Sequence, residues 1–257
     1  MTPLTYVYGL VVSTRKPSLA RVPAGLPGAS RVRLLQVDAG RYLVVADVKR
    51  HEYGEDAINQ RLSNLDWVSR AAVGHEAVLE ALVARATVLP MKLFTIFTND
   101  ERAIADVRRN RARVDALIKR VAGHHEFGVR VVMDRAKAAA RRKAGASRPG
   151  GSATGIAYLT QKKAQRDAAT ELAAHARETV ADLYDRLARR ARLAQRRSAS
   201  ELPIENGPLL LDAAFLVASA KARAFRGEVA REARALARHG YGVTLTGPWP
   251  PYTFVQE

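Results

Sequence analysis

The chain has 257 residues and no Cys, and its 42 Lys and Arg side chains outnumber the 25 Asp and Glu, which gives a net charge of +17. Without Cys, a disulfide framework, a thiolate nucleophile and a cysteine-ligated zinc or iron–sulfur site are all excluded. The positive charge favours anionic partners such as nucleic acid, an acidic protein or an anionic surface, by an attraction that salt screens. An excess of Arg also follows from the coding bias of a genome, and composition does not separate these interpretations.

The first part of the chain is predicted to mix strands with a helix. Leu4–Val12 and Tyr42–Val48 alternate and are rich in Val and Tyr, as is typical of strands. A helical run opens at Gly54-Glu55-Asp56, apolar residues recur at helical spacing from Asn64, and the element ends before Pro90. The apolar run Leu93–Thr98 is predicted to be a buried strand, although an exposed version would pair readily with a β-rich partner.

A second helix leads to the predicted domain boundary. Asn99 or Asp100 is expected to cap this helix, since a short side-chain oxygen accepts the free backbone amides at a helix start. Gly123 ends the helix, and the strand Glu126–Asp134 follows it. We therefore expect an N-terminal α+β domain over 1–123 and a C-terminal domain over 124–257.

The C-terminal half begins with a strand and then a basic linker, 135–155, which carries Lys and Arg but no acidic residue. From Gly155 a helical pattern continues for about 40 residues. The elements predicted after it are strands at Glu201–Ile204 and Leu209–Val217, a helix at Ser219–His239 and a strand at Tyr241–Thr246. The order strand, helix, strand, strand, helix, strand is that of a ferredoxin-like domain (βαββαβ), here with a long helical extension. The fold class is α+β.

No catalytic, cofactor or metal site is predicted. His124, His125 and Glu126 are adjacent, whereas helical metal ligands recur at i, i+4, and the isolated His75 is expected to be solvated. No phosphate loop, dinucleotide fingerprint or nucleophile elbow occurs. The start of the chain lacks the positive region of a secretory signal, and no apolar run is long enough to span a bilayer. We expect a cytoplasmic protein that is not an enzyme, has no cofactor and does not enter a membrane.

The segment Gly247-Pro248-Trp249-Pro250-Pro251-Tyr252-Thr253-Phe254 is the most conformationally restricted part of the sequence. Each proline fixes its own φ and biases the preceding residue towards an extended conformation. The segment is expected to stay extended and to carry Trp249, Tyr252 and Phe254 outward as a rigid aromatic surface. Aromatic residues after a final strand also commonly cover a core, and the sequence leaves both interpretations open.

Together with Leu89-Pro90-Met91-Lys92-Leu93-Phe94-Thr95 and Gly155-Ile156-Ala157-Tyr158-Leu159, this segment resembles the gas vesicle protein F/L family of accessory proteins, in the same order over nearly the whole chain. The resemblance implies two domains and a non-enzymatic role in vesicle assembly or as a minor wall component. The partners it implies are the major hydrophobic shell protein and other gas vesicle accessory proteins. The family pattern has Arg-Phe-Gly where this chain has Lys92-Leu93-Phe94, so no role is carried over to Lys92.

A partner-binding surface is the resulting hypothesis, because an accessory protein that covers an apolar patch of a shell subunit reduces its aggregation by mass action. Its candidate residues are Leu93, Phe94, Trp249, Pro250, Tyr252 and Phe254. The alternative is a nucleic-acid-binding protein that uses its basic surface. Sheets that bind RNA display several exposed aromatic rings, whereas the predicted C-terminal strands carry only Phe127 and Phe215, which argues against this alternative.

Overall fold

The computed structural model describes residues 2–133, 155–197 and 208–255, and over these residues the chain is a mixed α/β protein with two antiparallel sheets. The strands are β1 (Leu4–Val12), β2 (Arg33–Asp38), β3 (Arg41–Val48), β4 (Thr87–Pro90), β5 (Ile96–Phe97), β6 (His124–Met133), β7 (Leu193–Arg196), β8 (Leu209–Ala218) and β9 (Tyr241–Trp249). The helices are α1 (Arg50–Tyr53), α2 (Glu55–Arg61), α3 (Leu65–Val83), α4 (Asp100–Arg109), α5 (Arg111–Val121), α6 (Gly155–Ala188), α7 (Ala222–Ala237) and α8 (Tyr252–Val255), with a 3₁₀ turn at Ser219–Lys221.

The chain forms two compact units: unit 1 is Met1–Glu126 with Pro248–Glu257, and unit 2 is Phe127–Gly247. The sequence places residues 248–257 with the second domain, whereas their contacts lie in unit 1. The reason is a buried carboxylate, because Glu126 accepts hydrogen bonds from the backbone N–H and the hydroxyl of Thr253 at 2.8 and 2.7 Å. The end of the chain therefore belongs to the core of the N-terminal half.

Unit 1 is built on a sheet in the order β2-β3-β1-β4, with β5 also paired to β1. Strand β1 lies at the centre, and its residues from Leu4 to Val11 are all buried, because neighbouring elements cover both of its faces. Helix α3 packs its apolar stripe against this sheet through Val78, Leu79 and Leu82. Its N-cap is Asn64, whose side chain accepts from the Trp67 N–H at 3.0 Å.

An ion-pair cluster joins three strands of this sheet to the start of α4. Arg33 of β2 donates to Asp47 of β3 and, at 2.8 and 2.9 Å, to both carboxylate oxygens of Asp100. Thr5 of β1 donates to the same carboxylate at 2.7 Å. The hydrogen bonds from Arg33 hold the pKa of Asp100 below its ordinary value. Asn99 caps α4, as predicted, by accepting from the Arg102 N–H at 2.9 Å.

Unit 2 contains a sheet in the order β7-β8-β6-β9. Alternate residues of β6 and β8, among them Phe127 and Phe215, pack in one core with the apolar sides of α6 and α7. The two helices are also joined by a bidentate ion pair, in which Arg186 contacts Glu232 with both distances at 3.0 Å. Unit 2 therefore has a hydrophobic core of its own.

Two predicted helices differ from the structure. The helix predicted to run from Asn99 to Gly123 breaks at Asn110, because the Asn110 side chain donates to the Asp106 carbonyl at 3.0 Å and competes with the helix backbone. The helix predicted from Gly155 ends at Ala188. The following residues form β7 because they pair with β8, an interaction that outweighs a weak helical pattern.

Strand β2 was not predicted from the sequence. The signal for it was a run containing Leu34, Leu35 and Val37 before a turn at Gly40, whose φ of +77° is one that glycine readily adopts. The predicted strand Glu201–Ile204 and, apart from Gly155, the predicted linker 135–155 lie outside the described residues.

Two helical glycines should respond oppositely to the same substitution. A Cβ at Gly74 of α3 would lie 2.5 Å from the Gly25 carbonyl oxygen, whereas a Cβ at the exposed Gly227 of α7 meets no atom within 4 Å. Gly227→Ala should raise the free energy of unfolding by about 0.5–1 kcal/mol, and Gly74→Ala should lower it. Urea unfolding followed by circular dichroism measures both changes. Equal stabilisation by the two variants would show that Gly74 does not pack closely against the Gly25 carbonyl.

Candidate partner-binding site

The segment after β4 forms a tight turn, which corrects the prediction of a buried strand over Leu93–Thr98. The Lys92 carbonyl accepts from the Thr95 backbone N–H at 3.1 Å and from its hydroxyl at 2.7 Å, and only Ile96–Phe97 pairs with β1. Phe94 has a φ of +64°, a left-handed conformation that costs a bulky residue about 1–2 kcal/mol. Its ring stacks on Trp67 with centroids 5.2 Å apart and an interplanar angle of 7°. This stacking and the turn hydrogen bonds hold the strained backbone in place.

The C-terminal aromatic segment is less exposed than the sequence suggested. Strand β9 extends as far as Trp249, but after Pro250 the chain turns into the helix α8 instead of remaining extended. Phe254 is 5% exposed and Pro250 is also buried, whereas Trp249 and Tyr252 are half-buried. Glu126 causes this difference, since it binds the first turn of α8 and draws Phe254 into unit 1.

These two segments border a pocket of about 570 Å³ in unit 1. Its walls come from β1, α3, β4 and the turn after it, α4, α5 and α8. Of the six residues proposed from the sequence, Leu93 and Tyr252 line the pocket, and Phe94, Trp249, Pro250 and Phe254 do not. The structure thus brings together one residue from each predicted segment.

A buried hydrogen-bond chain reaches the pocket through His75, which corrects its expected solvation. The Phe94 N–H donates to the Tyr6 hydroxyl at 3.4 Å, and the Tyr6 hydroxyl lies 2.6 Å from His75 Nδ1. If the Tyr6 proton is donated to Nδ1, the neutral ring carries its own proton on Nε2. Burial lowers the pKa of His75 to about 4, against the opposing effect of the Met91 carbonyl. Position 75 continues the apolar stripe of α3, and this was the signal that could have predicted its burial.

Two polar atoms at the pocket are buried and form no hydrogen bond of normal geometry, namely His75 Nε2 and Tyr252 Oη, although the Met91 carbonyl lies near the His75 ring. Burial and then the charge of Glu76 raise the pKa of Tyr252, so its hydroxyl is protonated at neutral pH. Burial, followed by the nearby charge of Glu80, also raises the pKa of Glu76. The pocket therefore combines apolar walls with two groups able to donate a hydrogen bond, an arrangement suited to binding.

Neither a metal site nor a membrane span is found in the part of the chain that the structure describes. Over residues 2–133, 155–197 and 208–255, no group of three or more His, Asp or Glu is arranged to hold a metal ion. Within the same residues, none of the helices combines the length and the apolar character needed to cross a bilayer.

The structure is that of a two-unit α/β protein with a partly apolar pocket in unit 1. Comparison with known proteins gives the family: the model for the gas vesicle synthesis protein GvpL/GvpF matches residues 4–256, and the chain belongs to this family. It is 28% identical over 255 residues to gas vesicle protein L of Streptomyces sp. (strain CB03234), covering 98% of this chain and 92% of that protein. The resemblance noted in the sequence is thereby confirmed.

Two solved structures share the fold. The crystal structure of GvpF from Anabaena sp. PCC7120 has a TM-score of 0.68 at 19% identity and covers 99% of this chain and 97% of its own. That of GvpF from Microcystis aeruginosa has a TM-score of 0.67 at 18% identity and covers both chains fully. Family membership supports an accessory role in gas vesicles. Nothing in these comparisons supports the nucleic-acid alternative, and both Phe127 and Phe215 are fully buried.

The titration of His75 should make unfolding depend on pH. Its pKa is about 4 in the folded chain and 6.5 ordinarily, so between these values the unfolded chain binds a proton that the folded chain does not. The free energy of unfolding should fall as the pH is lowered from about 6.5 to about 4, by up to about 3 kcal/mol from this residue, and this contribution should level off below that range.

Urea unfolding of the wild type and of His75→Gln at several pH values isolates this contribution. The variant loses the hydrogen bond to Tyr6, so the informative quantity is the slope with pH and not the absolute stability. The slope between pH 6.5 and 4.5 should be shallower in the variant, and parallel profiles would contradict the burial of a neutral imidazole.

Proposed function

We propose that this chain is a non-enzymatic accessory protein of gas vesicles that binds the hydrophobic shell protein in the cytoplasm, either during assembly or as a minor wall component. The observation that carries the proposal is the family match over residues 4–256. The physical rationale is that an apolar shell subunit aggregates in water, and a protein that binds the unassembled form lowers the concentration of free subunit by mass action. Other gas vesicle accessory proteins are further partners in this proposal.

The proposed contact surface lies in unit 1 and uses the six residues identified from the sequence in two ways. Leu93, Trp249 and Tyr252 are half-buried, so part of each side chain is accessible to a partner. The three others, Phe94, Pro250 and Phe254, hold the two segments in position through stacking or burial. Aromatic side chains supply much of the energy of protein interfaces, so Trp249 is the residue to test first.

Trp249→Ala should weaken retention of purified shell protein roughly fivefold or more in a pull-down, as expected for an interface residue that contributes more than about 1 kcal/mol. Leu65→Ala is the matched control, since Leu65 is a large apolar side chain that is 79% exposed on α3 and does not line the pocket. Circular dichroism establishes that both variants fold. Equal retention by Trp249→Ala and the wild type would remove the aromatic segment from the proposal.

Washed, intact vesicles distinguish the two forms of the proposed role. Retention of the protein at a fixed ratio to shell protein would indicate a wall component, and its absence would indicate an assembly factor. A cell that lacks the gene should contain few or no vesicles by electron microscopy. Normal vesicle number in that cell would contradict an assembly role.

The finer description of the fold also belongs to this proposal: an N-terminal domain over 1–123 and a ferredoxin-like domain that begins at 124 and excludes the last segment, from Pro248, whose contacts lie in unit 1. It is supported by the element order β6-α6-β7-β8-α7-β9 and by the sheet order β7-β8-β6-β9. Limited proteolysis tests the boundary near residue 123. An experimental structure in which β6 and β8 run parallel would contradict the ferredoxin-like arrangement.

A further inference from the structure

The pocket in unit 1 has the size and the lining of a ligand site. A volume of about 570 Å³ falls within the range of roughly 300–1,000 Å³ typical of ligand sites. Just over half of its lining residues are apolar, including Leu10, Leu89, Val114 and Leu117. A well-packed protein interior leaves few voids larger than a water molecule, so a pocket of this size is suited to an occupant.

The buried polar atoms indicate what such an occupant must supply. His75 is 4% exposed, and its Nε2 forms no hydrogen bond of normal geometry; Tyr252 Oη is likewise buried without a partner. Buried polar groups nearly always have a partner, and leaving one without costs about 1–3 kcal/mol. Both groups can donate, so the matching chemistry is a hydrogen-bond acceptor on an otherwise apolar molecule.

The charges around the pocket favour a neutral acceptor over an anionic one. Glu76 lines the wall, and its carboxylate would repel a second buried carboxylate. The basic residues of the lining, Lys92 and Arg113, are exposed and belong to its rim. A peptide amide satisfies these conditions, because its carbonyl accepts from the two donors and its N–H can donate to Glu76.

We propose that this pocket binds an uncharged, mainly aliphatic stretch of a partner polypeptide, whose side chains fill the apolar walls and whose backbone carbonyls accept hydrogen bonds from His75 Nε2 and Tyr252 Oη. The inference rests on the proposed function, in which the chain acts on other polypeptides, and it adds the site and the chemistry of the segment bound. Tyr252 is placed for this contact by α8, which Glu126 fixes to unit 1.

A neutral dipeptide probe tests the proposal on the full chain. N-acetyl-leucyl-leucine methylamide, titrated into the ¹⁵N-labelled protein, should give saturable shifts in the amides of residues 72–76, 89–95 and 252–255. Decanoate supplies aliphatic surface with an anionic acceptor and should bind at least fivefold more weakly. No saturable shift with the dipeptide, or equal or tighter binding of decanoate, would overturn the proposal.

Two variants separate binding from folding. Ala72→Phe fills the pocket and should abolish binding of the probe, whereas Ala116→Phe makes the same change at an exposed position of α5 and should leave it intact. Tyr252→Phe removes a hydroxyl that has no partner in the free protein, so its Tm should be unchanged or higher while binding weakens roughly threefold to tenfold. Unchanged binding in Ala72→Phe, or in Tyr252→Phe, would contradict the assigned site.

The same variants distinguish failure of this inference from failure of the proposed function. If the wild type and Ala72→Phe retain shell protein equally, the pocket is not the contact, although the accessory role stands. If the probe binds but shell protein is not retained by the wild type, the pocket is a peptide site and the partner in the proposed function is wrong.

Discussion

The buried carboxylate of Glu126 is the constraint on which the candidate site depends. It binds the N–H and the hydroxyl of Thr253, satisfies free donors in the first turn of α8, and so fixes the end of the chain to unit 1. Arg120 adds a second link by donating to the Phe254 carbonyl at 3.3 Å. Because of these contacts Tyr252 lies on the pocket wall, and a segment with three prolines bends into a helical turn where a rigid projection was expected.

A second set of buried polar contacts reaches the pocket through His75. Tyr6 contacts His75 and Phe94 in one chain of hydrogen bonds, and Phe94 is thereby held in a left-handed conformation over Trp67. Phe94 is a bulky residue at a φ of +64°, a conformation that glycine adopts without strain. The stacking of its ring on Trp67 compensates for this strain, so packing retains the turn.

The pocket and the family assignment lead to the same view of the protein from different directions. The chain belongs to a family of gas vesicle synthesis proteins, and the proposed function and the proposed peptide site both give it a polypeptide partner. The charge of +17 remains without an assigned role in this view. A pocket of about 570 Å³ has the size to hold a short segment of the proposed partner.

The sequence by itself determined the α+β class, the family, strand β1 to the residue and the capped start of α4 at Asn99, because these depend on local periodicity, on side-chain oxygens beside free amides and on distinctive motifs. Only the tertiary structure decided the pairing of β7 with β8, the burial of Phe254 and the pocket itself. Each of these results from contacts between residues far apart in the chain, such as Glu126 with Thr253. A local sequence pattern does not indicate which distant group will form a hydrogen bond with a given side chain.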